Sequence, residues 1–515
     1  MNNSALGMPF ADRAWTSPKT DASRPFGRQR ETNTLTPVQL LQKSLVERTR
    51  HYFNQQSRWW RVGALPLALA LSSCGGPQIR MNSPVRESES LPIITDEGFA
   101  SPKRDNLLVD QALRSRAVAS ATDDLLDAVR QACPLAPLVA GNQVTILNDG
   151  PSTFAAFAAA VGNALHHIHL ETYIFADDSL GRSFAELLAA KSQQGIEVRV
   201  LYDGLGSVAA DSRFFDKLRH AGVQVIAFRP LDDLTNVVNG GVNNRDHRKI
   251  LIVDGHTAFV GGINISETYN RGSGSSPKAV VDLTDGWRDV QVKIDGPVVK
   301  QFQALFFSTW VRSGGTADAS STAYYPTLKP QGHSLIAAVA SEYAAKNEGQ
   351  IHAVYLSTIR HTQRRLWITQ AYFTPDKSLL EALMAAARRG VDTRILLPGF
   401  SDSSLVLNAS RAIYDRLLES GVKIFEYEAG FMHSKTLTVD GVLSIVGSAN
   451  MDLRSLLHNN EVAAVIADNL TAAELDAFYL KDLTDAREIR LAQWRKRPLR
   501  QRAMERAATL MWFWI

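Results

Sequence analysis

One pattern occurs twice in this chain. His247-Arg-Lys249-Ile-Leu-Ile-Val-Asp254 returns as His433-Ser-Lys435-Thr-Leu-Thr-Val-Asp440, with the same H-x-K-x4-D spacing. Each copy is followed by a turn ending in Asn: Gly261-Gly262-Ile263-Asn264 and Gly447-Ser448-Ala449-Asn450. Two copies of one half-site predict a single site built across a pseudo-two-fold axis. That site would gather two histidines, two lysines and two asparagines, a set that suits a phosphodiester.

The surrounding sequence repeats as well. Residues 170–175 and 366–372 read as strands, 183–194 and 379–389 as helices, and 197–202 and 393–397 as the next strands. Each helix stops at a glycine, Gly195 or Gly390, as expected where the chain needs a positive φ. A further helix and short strand follow in each half. Alternating strands and helices predict βαβ units around a largely parallel sheet. The fold class is α/β, as a duplicated domain. The Gly/Ser-rich segment 271–285 interrupts only the first half.

His and Lys two apart on a strand point to one face. Displacement at phosphorus needs a nucleophile, an acid for the leaving oxygen, and positive charge on the non-bridging oxygens. His247, Lys249, His433 and Lys435 supply all three without a metal or organic cofactor. One imidazole must be neutral to attack and the other protonated to release the alcohol, so their pKa values must split. Each imidazole needs a carboxylate on its second nitrogen. Asp289 and Glu461, which open equivalent strands (DVQVKI and EVAAVI), are the candidates, with the pairing left open. Asp254 and Asp440 complete the motif, but at the far strand ends a structural role suits them. Asp452 and Arg454 are expected to hold the turn after Asn450. Tyr173 and Tyr372 end equivalent strands, where they line lipid access or simply pack. His166-His167-x-His169 has no carboxylate cluster beside it and reads as packing.

The net charge of +4 over 515 residues is too small for a polyanion track, so nucleic acid is not the expected partner. Of the two cysteines, Cys74 follows a basic aromatic flank (Arg58 to Arg61), a short apolar run and small residues. This arrangement is similar to a lipoprotein signal and makes Cys74 a lipidation candidate. The expected organisation is a basic disordered segment (1–57), the signal or anchor (58–80), a linker and helical leader (81–135), the first repeat domain (136–313), a linker (314–345), the second (346–482) and a basic tail (483–515). The tail holds Arg487, Arg490, Arg495, Lys496, Arg497, Arg500, Arg502 and Arg506 and closes on Trp512-Phe-Trp514-Ile515. Such a segment suits an anionic membrane surface in a bacterial envelope.

The paired motifs, with Asn264 and with Asn450-x-Asp452-x-Arg454-Ser455, resemble the phospholipase D superfamily. Glu171 to Phe175, Tyr202 to Ser207, Ala371 to Pro375 and Phe425 to Tyr427 resemble its bacterial cardiolipin synthases. The resemblance implies an α/β fold of two tandem phospholipase-D-like repeats, forming a pseudo-two-fold sheet and helix sandwich with one composite active site. It implies phosphatidyl transfer between two phosphatidylglycerols through a phosphohistidine, with His247 as nucleophile and His433 as acid/base. Asn264, Ser448 and Asn450 would join the lysines in binding phosphate. No obligatory protein partner is implied. The alternatives are a phosphodiester hydrolase, a nuclease, or an inactive lipid-binding protein.

Overall fold

The computed structural model describes residues 91–113, 119–231, 243–270, 286–316, 318, 321–343 and 349–510. Cys74 with its flanks, the segment 271–285 and residues 511–515 lie outside them.

Each half contributes a seven-stranded unit of one sheet. The first holds β1 (Val139–Leu147), β2 (His167–Thr172), β3 (Glu197–Asp203), β4 (Gln224–Phe228), β5 (Ile250–Val253), β6 (Thr257–Gly261) and β7 (Gln291–Asp295). Their order in space is β4-β3-β2-β5-β6-β7-β1. The second holds β8 (Ser334–Ser341), β9 (Arg365–Thr369), β10 (Asp392–Pro398), β11 (Lys423–Tyr427), β12 (Thr436–Val439), β13 (Leu443–Gly447) and β14 (Glu461–Ala467). Its order, β11-β10-β9-β12-β13-β14-β8, is the same. β1 and β8 pair antiparallel, with Ser334 opposite Asn142, and join the halves.

This corrects the largely parallel sheet. Among these fourteen strands only β2-β3-β4 and β9-β10-β11 run parallel; every other pairing between them is antiparallel. The physical reason lies in the motif. β5 turns back into β6 through Asp254-Gly255, and β12 into β13 through Asp440-Gly441, so no crossover helix is needed and a hairpin forms. Asp254 and Asp440 both take positive φ, 55° and 53°, which Asp tolerates better than most residues. Their carboxylates tie these turns to the neighbouring strand. Asp254 accepts from the backbone N–H groups of Leu165, His166 and His167 at 2.8, 2.7 and 2.9 Å. Asp440 accepts from those of Gln363, Arg364 and Arg365 at 3.0, 2.8 and 2.8 Å.

Where the sheet does run parallel, crossover helices Ser179–Gln193 and Lys377–Arg388 are capped by Asp178 and Asp376. They end before Gly195 and Gly390, at φ +88° and +92°. Three further expectations change. The helical leader is two helices, Pro102–Leu113 and Ala119–Ala132. The expected linker 314–345 contains β8, which is the second half's counterpart of β1. The basic tail begins with β15 (Ala486–Ile489), antiparallel to β11. Arg487 pairs with Glu426 and Glu428, and Arg497 with Asp415 and Glu505. These charges therefore fasten the tail to the body. Helix Leu499–Thr509 then packs Ala508 against Ala409, Leu405 and Val406 of helix Ser404–Ala412. No helix among the described residues is long and apolar enough to cross a membrane.

Candidate active site

The two H-x-K segments are not within strands. They are extended lead-ins to β5 and β12, each held by the opposite half. His247 N–H donates to the Asn460 carbonyl at 3.0 Å, and Asn460 N–H to the Arg245 carbonyl at 2.8 Å. His433 N–H donates to the Arg288 carbonyl at 2.8 Å, beside a short parallel pairing of Phe431–Met432 with Trp287–Arg288. The partner segment in each case leads into the last strand of the opposite half, where the candidate carboxylates stand. The histidine–carboxylate pairs must therefore cross between halves. His247 Nδ1 lies 3.0 and 3.1 Å from the Glu461 oxygens, and His433 Nδ1 lies 2.7 Å from Asp289 Oδ2. With the proton on Nδ1 facing the carboxylate, Nε2 of His247 is left for chemistry, while Nε2 of His433 faces the Lys435 ammonium.

The lysines sit under the same rings. Lys249 Nζ donates to the His247 carbonyl at 2.6 Å and lies 5.3 Å from the Tyr173 ring centre. Lys435 Nζ lies 2.9 and 3.1 Å from the two nitrogens of His433. The asparagines diverge. Asn264 is engaged, accepting from Ile174 N–H at 3.1 Å and donating to the Tyr269 hydroxyl at 2.7 Å. Asn450 is buried and its Oδ1 has no hydrogen-bond partner.

The turns after each motif differ at their second position, Gly262 against Ser448, and the opposing carboxylates explain that difference. Ser448 donates to Glu461 Oε2 and accepts from Val462 N–H at 3.0 Å. In the first half the shorter Asp289 stands directly over Gly262. A Cβ there would fall 2.2 and 2.5 Å from the carboxylate oxygens. Gly262 is thus required by close approach of a fully buried group. Gly262→Ala is expected to push Asp289 off His433, lowering turnover about 100-fold and stability by about 1–3 kcal/mol. Steady-state kinetics with thermal unfolding would check both.

Electrostatics here follow burial. His247 is pushed down to about 4, first by loss of solvent and then by Lys249, with Glu461 acting against both. His433 is depressed by burial and by both lysines. Both shifts favour the uncharged imidazole. Lys249 falls to about 7 and Lys435 to about 8, again chiefly through burial, with the carboxylates holding them up. The carboxylates part company. Glu461 is held down to about 2 by His247, Lys249 and Ser448 against its burial, whereas burial lifts Asp289 to about 6.

Asp254 and Asp440 stay with the hairpin turns and take no part in this cluster. Asp452 caps helix Leu453–Leu457 through Ser455 N–H at 2.6 Å. His167 and His169 share the side chain of Gln303, at 3.1 and 2.8 Å, towards the start of β2. Arg245, Trp287, Phe431 and Tyr269, which the sequence did not single out, complete the surroundings beside Tyr173 and Tyr372, which it did. Arg245 and the backbone N–H of Asp246 both bind the buried Asp203, at 2.8 and 2.9 Å, anchoring the lead-in to β5. His433 is ringed by Trp287, Phe431, Tyr269 and Tyr372, with centroids 4.9, 5.8, 5.6 and 6.2 Å away. His247 meets Tyr173 at 5.0 Å. The available signal was adjacency: Arg245 and Trp287 lie two residues before His247 and Asp289.

Known proteins resemble this chain in sequence. The family described as cardiolipin synthase, PLD-like domain, matches residues 157–274 and 355–483, one segment in each half. A cardiolipin synthase of Halalkalibacterium halodurans is 35% identical over 379 residues, covering 73% of either chain. One from Geobacillus thermodenitrificans is 36% identical over 378 residues, again covering 73% of each. Among solved structures, a phosphatidylserine synthase of Haemophilus influenzae Rd KW20 superposes with a TM-score of 0.59 at 13% identity, over 75% of this chain and 99% of that one, a likeness of fold alone. On the sequence relatives, and on a duplicated sheet that carries one motif in each half, the chain belongs to the cardiolipin synthase family of phospholipase-D-like proteins.

Proposed function

We propose that this chain is a cardiolipin synthase, an enzyme that transfers the phosphatidyl group of one phosphatidylglycerol to a second and releases glycerol. The observation that carries the mechanism is the crosswise pairing, His247 with Glu461 and His433 with Asp289, above two buried lysines.

His247 Nε2 attacks phosphorus, and the bond to the donor's headgroup oxygen breaks. His433 Nε2 gives that oxygen its proton, so glycerol leaves neutral. The hydroxyl of the second phosphatidylglycerol then yields its proton to His433 and attacks phosphorus, and the bond to His247 breaks. Glu461, ionised throughout, fixes the His247 ring and stabilises positive charge as the N–P bond forms. Lys249, Lys435 and Asn450 face the non-bridging oxygens, and Ser448 holds Glu461. Asn264 orders the first turn through Tyr269. The anionic phosphodiester offsets the lysine charges that depress His433, so substrate binding brings the acid's proton onto that ring.

The lysines set the alkaline limit. Their ammonium groups lose protons as pH rises through about 7 and 8, and with them goes the charge that binds phosphate. kcat/KM is therefore expected to fall across about pH 7–9, while kcat falls at higher pH, because bound phosphate keeps the lysines protonated. A kcat/KM that stays level through that interval would contradict these roles.

The reaction takes place on lipid at a membrane surface. Supporting this, the outer side of helix Leu499–Thr509 carries Leu499, Met504 and Leu510, 78%, 50% and 83% exposed, among the exposed Arg500 and Arg506. Cys74 lipidation in a bacterial envelope is a separate proposal, tested by mass spectrometry of the mature N-terminus. The chemistry calls for no cofactor, nucleic acid or obligatory protein partner. Incubation with phosphatidylglycerol vesicles is expected to yield cardiolipin and glycerol in equal amounts; phosphatidic acid as the only lipid product would overturn the reading.

A further inference from the structure

The two ends of the site differ in a way the shared chemistry does not require. Tyr173 and Tyr372 follow equivalent strands, β2 and β9. Tyr173 has the Lys249 ammonium 5.3 Å from its ring centre. Tyr372, 6.2 Å from the His433 ring, donates its hydroxyl to both oxygens of Asp402, at 2.8 and 2.9 Å. Asp402 is exposed in the loop after β10, where Ser401 Oγ donates to it at 3.1 Å. After the equivalent strand β3 the carboxylates are otherwise engaged: Asp203 is buried and bound to Arg245, and Asp211 caps the next helix and pairs with Arg213. Asp402 lies close enough for its charge to act on Lys435 and Tyr269.

A carboxylate at the rim of a phosphate site weakens anion binding unless it does something else. A carboxylate accepts hydrogen bonds from hydroxyls, and two oxygens with spare lone pairs suit a vicinal diol. The headgroup of phosphatidylglycerol ends in such a diol. If His433 handles the proton of the headgroup oxygen, the rest of the headgroup extends past that ring toward Tyr372.

We propose that Asp402 and Tyr372 form a headgroup subsite on the His433 side, in which the Asp402 carboxylate holds the diol of the departing glycerol and then that of the incoming phosphatidylglycerol. The inference rests on the reading above, with His433 as acid/base. It makes Asp402 a specificity-determining residue, and it places the leaving and entering alcohols on one side of phosphorus, reached in turn.

The test is alcohol partition. The full chain is given phosphatidylglycerol in mixed micelles with equimolar isotope-labelled glycerol and 1-propanol, and labelled phosphatidylglycerol is measured against phosphatidylpropanol. The wild type is expected to favour glycerol. Asp402→Ala should lower the ratio about tenfold or more, since a site built to bind a hydroxyl rejects the analogue lacking it and loses that preference with its partner. Asp402→Asn and Tyr372→Phe should give smaller decreases, and they read the same ratio if the alanine variant does not fold. A wild type without preference, or an unchanged ratio in the variants, overturns the subsite. If vesicles yield no cardiolipin but the ratio still shifts, the cardiolipin synthase reading fails while the subsite stands.

Discussion

His247→Ala and His433→Ala are each expected to lower cardiolipin synthesis by about 10⁴-fold or more, and the double variant to fall little further. Residues that act as one unit lose function together. Two independent sites, one for each motif, would instead leave about half the activity in either single variant. The geometry favours the first outcome, because neither motif is complete in its own half. His247 takes its carboxylate from β14 and His433 takes its own from the lead-in to β7. The backbones of the two lead-ins are also pinned across the same boundary, at Asn460 and Arg288.

The carboxylates should come next in effect. Glu461→Gln and Asp289→Asn keep shape but lose charge, and either is expected to lower turnover by about 10²–10⁴-fold, as when the orienting acid of a catalytic imidazole is neutralised. The two should differ in stability. Glu461 is held far below its ordinary value, so its charge contributes stability that is present above pH 4.5 and is lost as pH falls towards about 2. Asp289 is raised to about 6, so its ionised form opposes folding above its ordinary value, and Asp289→Asn relieves that cost. Thermal unfolding at neutral pH should show Glu461→Gln as the more destabilised. Equal loss, or a more stable Glu461→Gln, would contradict the assigned electrostatics.

Much of this site was legible because its residues are spaced locally. The H-x-K-x4-D spacing, the Asn turns and the duplicated strand–helix–Gly units give the repeat, and Asp289 and Glu461 stand out by their equivalent positions. The crossing of the pairs was not legible, because it depends on backbone bridges between segments far apart in sequence, such as Asp246 with Asn460. The parallel sheet was over-read for a related reason. β5-β6 and β12-β13 are short apolar runs whose turn residue, Asp254 or Asp440, sits inside the motif that drew attention as chemistry. The tail's arginines carry the right charge for a surface, yet Arg487 is held by Glu426 and Glu428 of the body and Arg497 by Asp415. Composition cannot tell a paired arginine from a free one. Gly262 shows the reverse: it stands where the second turn has Ser448, and it is the space Asp289 needs.

In the proposed mechanism one composite site passes the phosphatidyl group through His247. The direct measurement is to quench His433→Ala with phosphatidylglycerol labelled in its phosphate and map the acid-labile adduct by mass spectrometry. Without its acid the variant forms the adduct slowly, and without its base it resolves it slowly, so the label is expected on His247 and on no other residue. Label on another side chain, or transfer that proceeds in His247→Ala, would contradict the account.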